Sequence, residues 1–184
     1  MIREHYVEDA LRQLRKYKEL ADRAIAQVSG EQMFQALDDE SNSIAIVMKH
    51  LAGNMRSRWT DFLTSDGEKA DRHRDREFEL EEADTRERLV AAWEAGWEQA
   101  IGAVSAIGWQ DLERTVTIRG EPHTVIEAIN RQLTHYAYHV GQIVLLARHF
   151  AGGGWQSLSI PKGKSAEYEV SKEGWRYGAE EGEA

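Results

Sequence analysis

In His135-Tyr-Ala-Tyr-His139 two imidazoles stand four residues apart within an apolar, helix-patterned stretch. Four residues is about one helical turn, so both rings leave the same face and can close on a single metal ion. A third histidine, His50, lies in an earlier apolar stretch. An imidazole supplied by a neighbouring helix would complete a three-nitrogen set with other coordination positions open, the construction of a catalytic rather than a structural metal site. Spacing alone does not separate such a pair from two packing histidines on a part-buried helix. The zinc-peptidase pattern needs Glu directly after the first His as general base, and here Tyr136 holds that place, which argues against a thermolysin-like peptidase.

The chain contains no cysteine, so disulfides, thiolate ligands and a cysteine nucleophile are excluded. Any metal must be held by imidazole, carboxylate, amide or water. A formal charge of -9 and the lack of a Lys/Arg cluster argue against nucleic-acid or anionic-membrane binding. No apolar run approaches transmembrane length and the first residues carry no signal-like core, so the expected location is cytoplasmic. With 184 residues, 41 % of them hydrophobic and 30 % charged, one domain with a real core is expected.

Four segments must position the histidines. The first carries Val7, Ala10, Leu11, Leu14, Tyr17, Ala21, Ile25 and Val28 at helical spacing and is expected to stop at Ser29-Gly30. The second, entered through Ser41-Asn-Ser43, carries Ile44, Val47, Met48, Leu51, Met55 and Phe62. A third follows the capping pattern Asp84-Thr-Arg-Glu87 and runs through Val90, Trp93, Trp97, Ala100, Ile101, Val104 and Ile107 to Gly108. The fourth starts at Thr124-Val-Ile-Glu127, keeps an unbroken stripe from Ile126 to Phe150 and stops at Gly152-Gly-Gly154. These predict an all-α four-helix bundle over residues 1–160. Thr115-Val-Thr-Ile118 before Arg-Gly-Glu-Pro122 reads as a short strand or hairpin ahead of the last helix. The charged link of about twenty residues from Thr64 to Ala83 is long enough to cross the end of a bundle. Residues 161–184 read as a polar, mobile tail. The tryptophans at 59, 93, 97, 109 and 155 are assigned to core and interface.

On the last helix His135 and His139 share a stripe with Ala128, Gln132 and Gln142, about 100° round from the core stripe. His50 flanks its own seam in the same way. Gly141, inside the last helix, suggests either close approach of a neighbour or simple tolerance. Asn54 is one turn beyond His50 and can orient the site or touch substrate. Arg131 is one turn before His135, where a guanidinium either makes a plain surface salt bridge, the favoured reading, or grips a substrate carboxylate. The run Glu68 to Glu77 reads either as a solvated loop or as a lid in which Arg74 or Arg76 meets an anionic substrate.

Several strings carry a family resemblance: His50-Leu-Ala-Gly-Asn-Met-Arg-Ser-Arg-Trp-Thr-Asp-Phe-Leu-Thr64, Asp66-Gly-Glu-Lys69, Arg74-Asp-Arg-Glu-Phe78, Ile160-Pro-Lys-Gly-Lys-Ser165 and His135-x-x-x-His139. Together they resemble a bacterial branch, of unassigned function, of the DinB-like (DinB/YfiT-type) superfamily of metal-dependent enzymes. The resemblance implies an up-down-down-up bundle with a long crossover between its second and third helices. It further implies a divalent ion, nickel or zinc in the first place and iron or manganese otherwise, on His50, His135 and His139. It also implies a homodimer, and a low-molecular-weight thiol as co-substrate, since the superfamily includes thiol-dependent transferases and isomerases.

Three functions follow as expectations. A thiol-dependent S-transferase or isomerase acting on small electrophiles stands first. A metal-dependent hydrolase needs a general base that no carboxylate supplies by spacing. A non-catalytic stress or interaction protein would use the metal to steady the bundle.

Overall fold

The computed structural model describes residues 2–167, 170–171 and 174–175. Five α-helices and a two-stranded antiparallel hairpin carry the part of the chain that surrounds the histidines. The helices are α1 (Ile2–Ile25), α2 (Gly30–Phe34), α3 (Ile44–Trp59), α4 (Arg86–Ser105) and α5 (Val125–Ala151), and the hairpin pairs β1 (Thr115–Ile118) with β2 (Glu121–Thr124). Among the described residues no helix is long and apolar enough to cross a membrane.

Helices α2 to α5 each start where a side chain satisfies a backbone N–H that has no partner within the helix. Ser43 Oγ accepts from Ile46 N at 3.2 Å, and Thr85 Oγ1 accepts from Arg88 N at 3.3 Å. Thr124 and Glu127 form a reciprocal capping box at the start of α5, with bonds of 3.2 and 2.7 Å. Gly152 ends α5 at φ 54°, a left-handed conformation that glycine adopts without strain.

Two boundaries differ from the pattern reading. Ser29-Gly30 does not merely stop a helix: α1 ends at Ile25, and Ser29 caps α2 through a second capping box with Gln32. A serine followed by glycine serves as terminator or as starter, and Gln32 three residues on is what decides. Phe62, assigned by periodicity to the second helical stripe, lies beyond α3, because Asp61 turns the chain at φ 47° and the Phe62 ring folds back on Trp59, centroids 4.8 Å apart.

The buried stripes meet in one core in which Trp93, Trp97, Tyr136, Leu14, Met48 and Ile143 are among the fully enclosed side chains. Trp109, assigned to core or interface by its type, is exposed. Helix α3 packs along α4, α1 lies against α4 and α5, and α3 also faces α5. Polar ties give the relative directions. The start of α1 bonds the start of α5 (Tyr6 Oη to Ile126 O, 3.2 Å), and Gln27, just past α1, bonds Gln156, just past α5. Arg86 at the start of α4 reaches Val28 O at the end of α1. Lys49 meets Asp84 near the starts of α3 and α4, and Thr60 meets Gln99 near their ends.

The expected hairpin is present. Arg119 and Gly120 both take positive φ (58° and 76°), the tight two-residue turn whose twist matches paired strands. The expected tail lies largely outside the described residues; its described part holds a 3₁₀ turn, Ser165–Glu167, and a two-residue strand pair.

The link from α3 to α4 is exposed over much of its length but anchored to the fold at several points. It runs back along α3, places a 3₁₀ helix, Arg74–Phe78, against it and buries Glu77. Its first part is stapled to the hairpin: Gly67 N donates to Thr117 O at 2.8 Å, and Asp66 accepts from the backbone N–H groups of Glu68, Arg119 and Gly120 at 2.7–2.8 Å. Partial burial pushes the Asp66 pKa up, but these three donors outweigh it and hold it at about 2, below its ordinary 3.8. A depressed carboxylate stabilises the fold fully above about pH 4 and loses that contribution as the pH falls through 2. Asp66→Asn, which keeps the shape but not the charge, is expected to cost about 1–3 kcal/mol in urea unfolding at pH 7. Near pH 2 the variant and the wild type should converge.

Candidate metal centre

Helix α3 brings His50, and α5 brings His135 and His139, to the seam where the two helices face each other. One ligand atom from each of the three imidazoles lies within 4.8 Å of the others. The ring centroids are 5.3, 4.9 and 4.7 Å apart, and the rings stand edge to face rather than stacked. His50 Nε2 is 3.3 Å from His135 Nε2. Two imidazole bonds of about 2.1 Å to one ion span that separation at an angle of roughly 100°, so the donor set fits a divalent metal.

The outer nitrogens point the same way chemically. His50 Nδ1 donates to Glu77 Oε2 at 2.9 Å, and His139 Nδ1 donates to Gln142 Oε1 at 2.7 Å. With the proton held on Nδ1, each Nε2 presents its lone pair inward, the arrangement in which a metal-binding histidine is usually oriented. His135 stays neutral, since burial, followed by the neighbouring His139 and His50, pushes its pKa down to about 3. Burial lowers that of His139 as well.

Glu77 is the residue that sequence reasoning missed. Its carboxylate takes two bonds from Arg72 at 2.8 Å while the other side faces His50, and the Arg72 and Glu77 side chains are only 2 % and 9 % exposed. Burial opposes its ionisation, but the guanidinium and the imidazole outweigh burial and hold the carboxyl below the usual range. Arg72 also contacts Glu68, which accepts from Arg58 at 2.8 Å and from Arg119 at 3.2 Å. The loop, the hairpin and α3 are thus joined by one buried charge network behind the histidines. The available signal was Gly53 inside His50-Leu-Ala-Gly-Asn54: a Cβ there would lie 2.9 Å from Glu77 Cδ, so the missing side chain is the space into which Glu77 fits.

A cleft of about 660 Å³ opens on the histidines. Asn54, Arg74 and Arg131 line it, whereas Arg76 is exposed and paired with Glu81 at 2.6 Å. Asn54 is buried, and its Oδ1 accepts from Tyr136 Oη at 3.3 Å, which in turn accepts from Trp59 Nε1 at 2.8 Å. Gln132 lines the cleft with a buried Oε1 that has no hydrogen-bond partner among the described residues. Gly141, in contrast, would place a Cβ in open space, so it marks no close approach.

Gly53→Ala tests the Glu77 seat. Alanine gains about 1 kcal/mol of helix propensity, but it forces Glu77 off Arg72, and breaking a buried ion pair costs about 3–5 kcal/mol. A net loss of roughly 2–4 kcal/mol is expected in chemical denaturation. Gly102→Ala on α4, where a Cβ meets nothing within 4 Å, should instead gain up to about 1 kcal/mol. Equal behaviour of the two variants would refute the seat.

Comparison with known proteins adds a family but no annotated function. No curated protein and no solved structure matches the chain. The family described as "Protein of unknown function (DUF1572)" matches residues 1–164, and since that span is most of the sequence, the chain belongs to this family.

Proposed function

We propose that the protein is a divalent-metal-dependent enzyme of the DinB-like superfamily that activates a low-molecular-weight thiol for transfer to, or isomerisation of, a small electrophile. The observation that carries this reading is the convergence of three imidazoles at the base of an open cleft. The pairwise ties between helix ends support the matching topology, an up-down-down-up bundle in which the α3–α4 link is the crossover. His50, His135 and His139 are the ligands in this reading. An all-nitrogen set without thiolate suits nickel or zinc, with iron or manganese as alternatives.

Held by His50, His135 and His139, a divalent ion would keep its full charge and would draw the pKa of a thiol or a water toward neutrality. The chain's own residues do the rest. Glu77 and Gln142 fix two imidazoles in the ligating tautomer, while Asn54 and Gln132 offer amide groups to the substrate. Choice between thiol and water rests on the absence of a base: among the described residues no Asp or Glu lines the cleft, and Glu77 is committed to Arg72 on the far side of His50. Hydrolysis lacks the group that would take a proton from water. A purely structural metal is disfavoured by the open cleft, because structural sites are closed. A cytoplasmic homodimer completes the reading, with the exposed Leu145 of α5 on its contact face.

Elemental mass spectrometry on untagged protein is expected to find about one divalent ion per chain in the wild type and none in His135→Ala. No metal, and no uptake of added nickel or zinc, would sink the proposal. Metal-loaded protein should then consume thiol in the presence of an electrophilic arene, and chelation should stop it. Glu77→Gln, which keeps the shape but loses the charge that orients His50, is expected to weaken metal affinity about 10–100-fold in competition with a chromophoric chelator. Unchanged affinity would make Glu77 a stabiliser of the loop only.

A further inference from the structure

The overall charge is -9, yet five arginines, Arg58, Arg72, Arg74, Arg119 and Arg131, line the cleft and no carboxylate among the described residues does. A random sample of this acidic surface would have the opposite sign. The five divide into two groups. Arg58 and Arg72 are buried and bound to Glu68 and Glu77, so they belong to the scaffold. Arg119 shares Glu68 with both of them at 3.2 Å and is half exposed. Two carboxylates therefore stand behind five guanidiniums, and the cleft keeps a surplus of positive charge.

The surplus sits at the rim. Arg131 is exposed on α5, and its guanidinium makes no ion pair among the described residues. Arg74 is half exposed, with its closest carboxylate, Asp75, at 3.9 Å and fully in solvent. Its guanidinium lies 5.0 Å from the centroid of the Phe78 ring, which itself packs 4.7 Å from the His50 ring. Phe78 thus holds a cation at the mouth of the histidine site. Deeper in, the buried, unpartnered Gln132 oxygen awaits a hydrogen-bond donor.

We propose that the cleft binds a small organic oxyanion, carrying a carboxylate or phosphate that docks on Arg74 and Arg131 and a donor group that reaches Gln132 beside the histidines. This deepens the thiol-transfer reading, on which its catalytic meaning rests, by giving that reaction's substrate or co-substrate a negative charge. A planar guanidinium pairs with either oxyanion through two parallel bonds, so carboxylate and phosphate are distinguished by experiment rather than by the lining.

Isothermal titration of the zinc-treated and the metal-free protein with inorganic phosphate, succinate and its neutral analogue succinamide tests this. At least one of the two anions should bind, and succinamide should not. The double variant Arg74→Gln/Arg131→Gln should bind that anion at least about tenfold more weakly, the loss of one charge-assisted bond, while its zinc content and circular dichroism match the wild type. Arg148→Gln, remote from the cleft on the last turn of α5, should bind as the wild type does. Succinate against phosphate identifies the anion class. Anion binding that the double variant retains, or zinc-loaded protein that binds neither anion, overturns the anion site and leaves the metal reading standing. Failure to take up either zinc or nickel overturns the metal reading, and arginine-dependent binding to the metal-free protein then still decides for the anion site.

Discussion

A carboxylate shared between a guanidinium and an imidazole organises this molecule. Glu77 cannot be buried as an anion without Arg72, Arg72 cannot be buried without Glu77 and Glu68, and His50 takes its tautomer from the pair. Buried ions are costly, so a network of this kind survives only when each member finds a partner with good geometry. The consequence is that a charged segment of some twenty residues, which has no apolar stripe to fix it, is held in one place against α3. The loop thereby becomes part of the site's wall.

The same economy of contacts governs how the helices meet. Gly96 on α4 lets Ala52 of α3 come within 3.3 Å of where its side chain would be, and Gly53 one residue on gives up its side chain to the loop. One face of α3 thus admits a helix, the next a carboxylate and the next an imidazole. Aromatic packing then fixes depth: Trp97 sits edge-on to Trp93 and to Tyr136, with centroids 5.5 and 5.4 Å apart, and locks α4 against α5 beneath the histidines.

Much of this was legible in the sequence, and the limits have physical causes. Capping residues at Ser43 and Thr124 and unbroken stripes located α3 and α5, and α4 to within one residue, because those signals are local; the cap of α4 is Thr85 on Arg88 N rather than an Asp84–Glu87 box. The turn at Arg119-Gly120 was legible for the same reason. His135 and His139 were found together because a helix imposes their spacing, while His50 needed tertiary structure to join them. Glu77 and Arg72 were invisible: in a run of mixed charge every residue looks solvated, and only long-range pairing shows which two are buried. Arg74 and Arg76 had equal claims by composition, and the 3₁₀ helix turns one to the cleft and the other to Glu81.

The chain from Trp59 through Tyr136 to Asn54 has a polarity of its own. An indole nitrogen can only give a proton, so the Tyr136 hydroxyl receives from Trp59 and must give its own proton onward to Asn54 Oδ1. The carboxamide is thereby held against flipping, with its oxygen on Tyr136 and its NH2 group on the opposite branch as the donor it offers. Three side chains from two helices thus act as a one-way relay that sets the sign of a neutral residue: Asn54, without any charge, faces an incoming molecule as a donor.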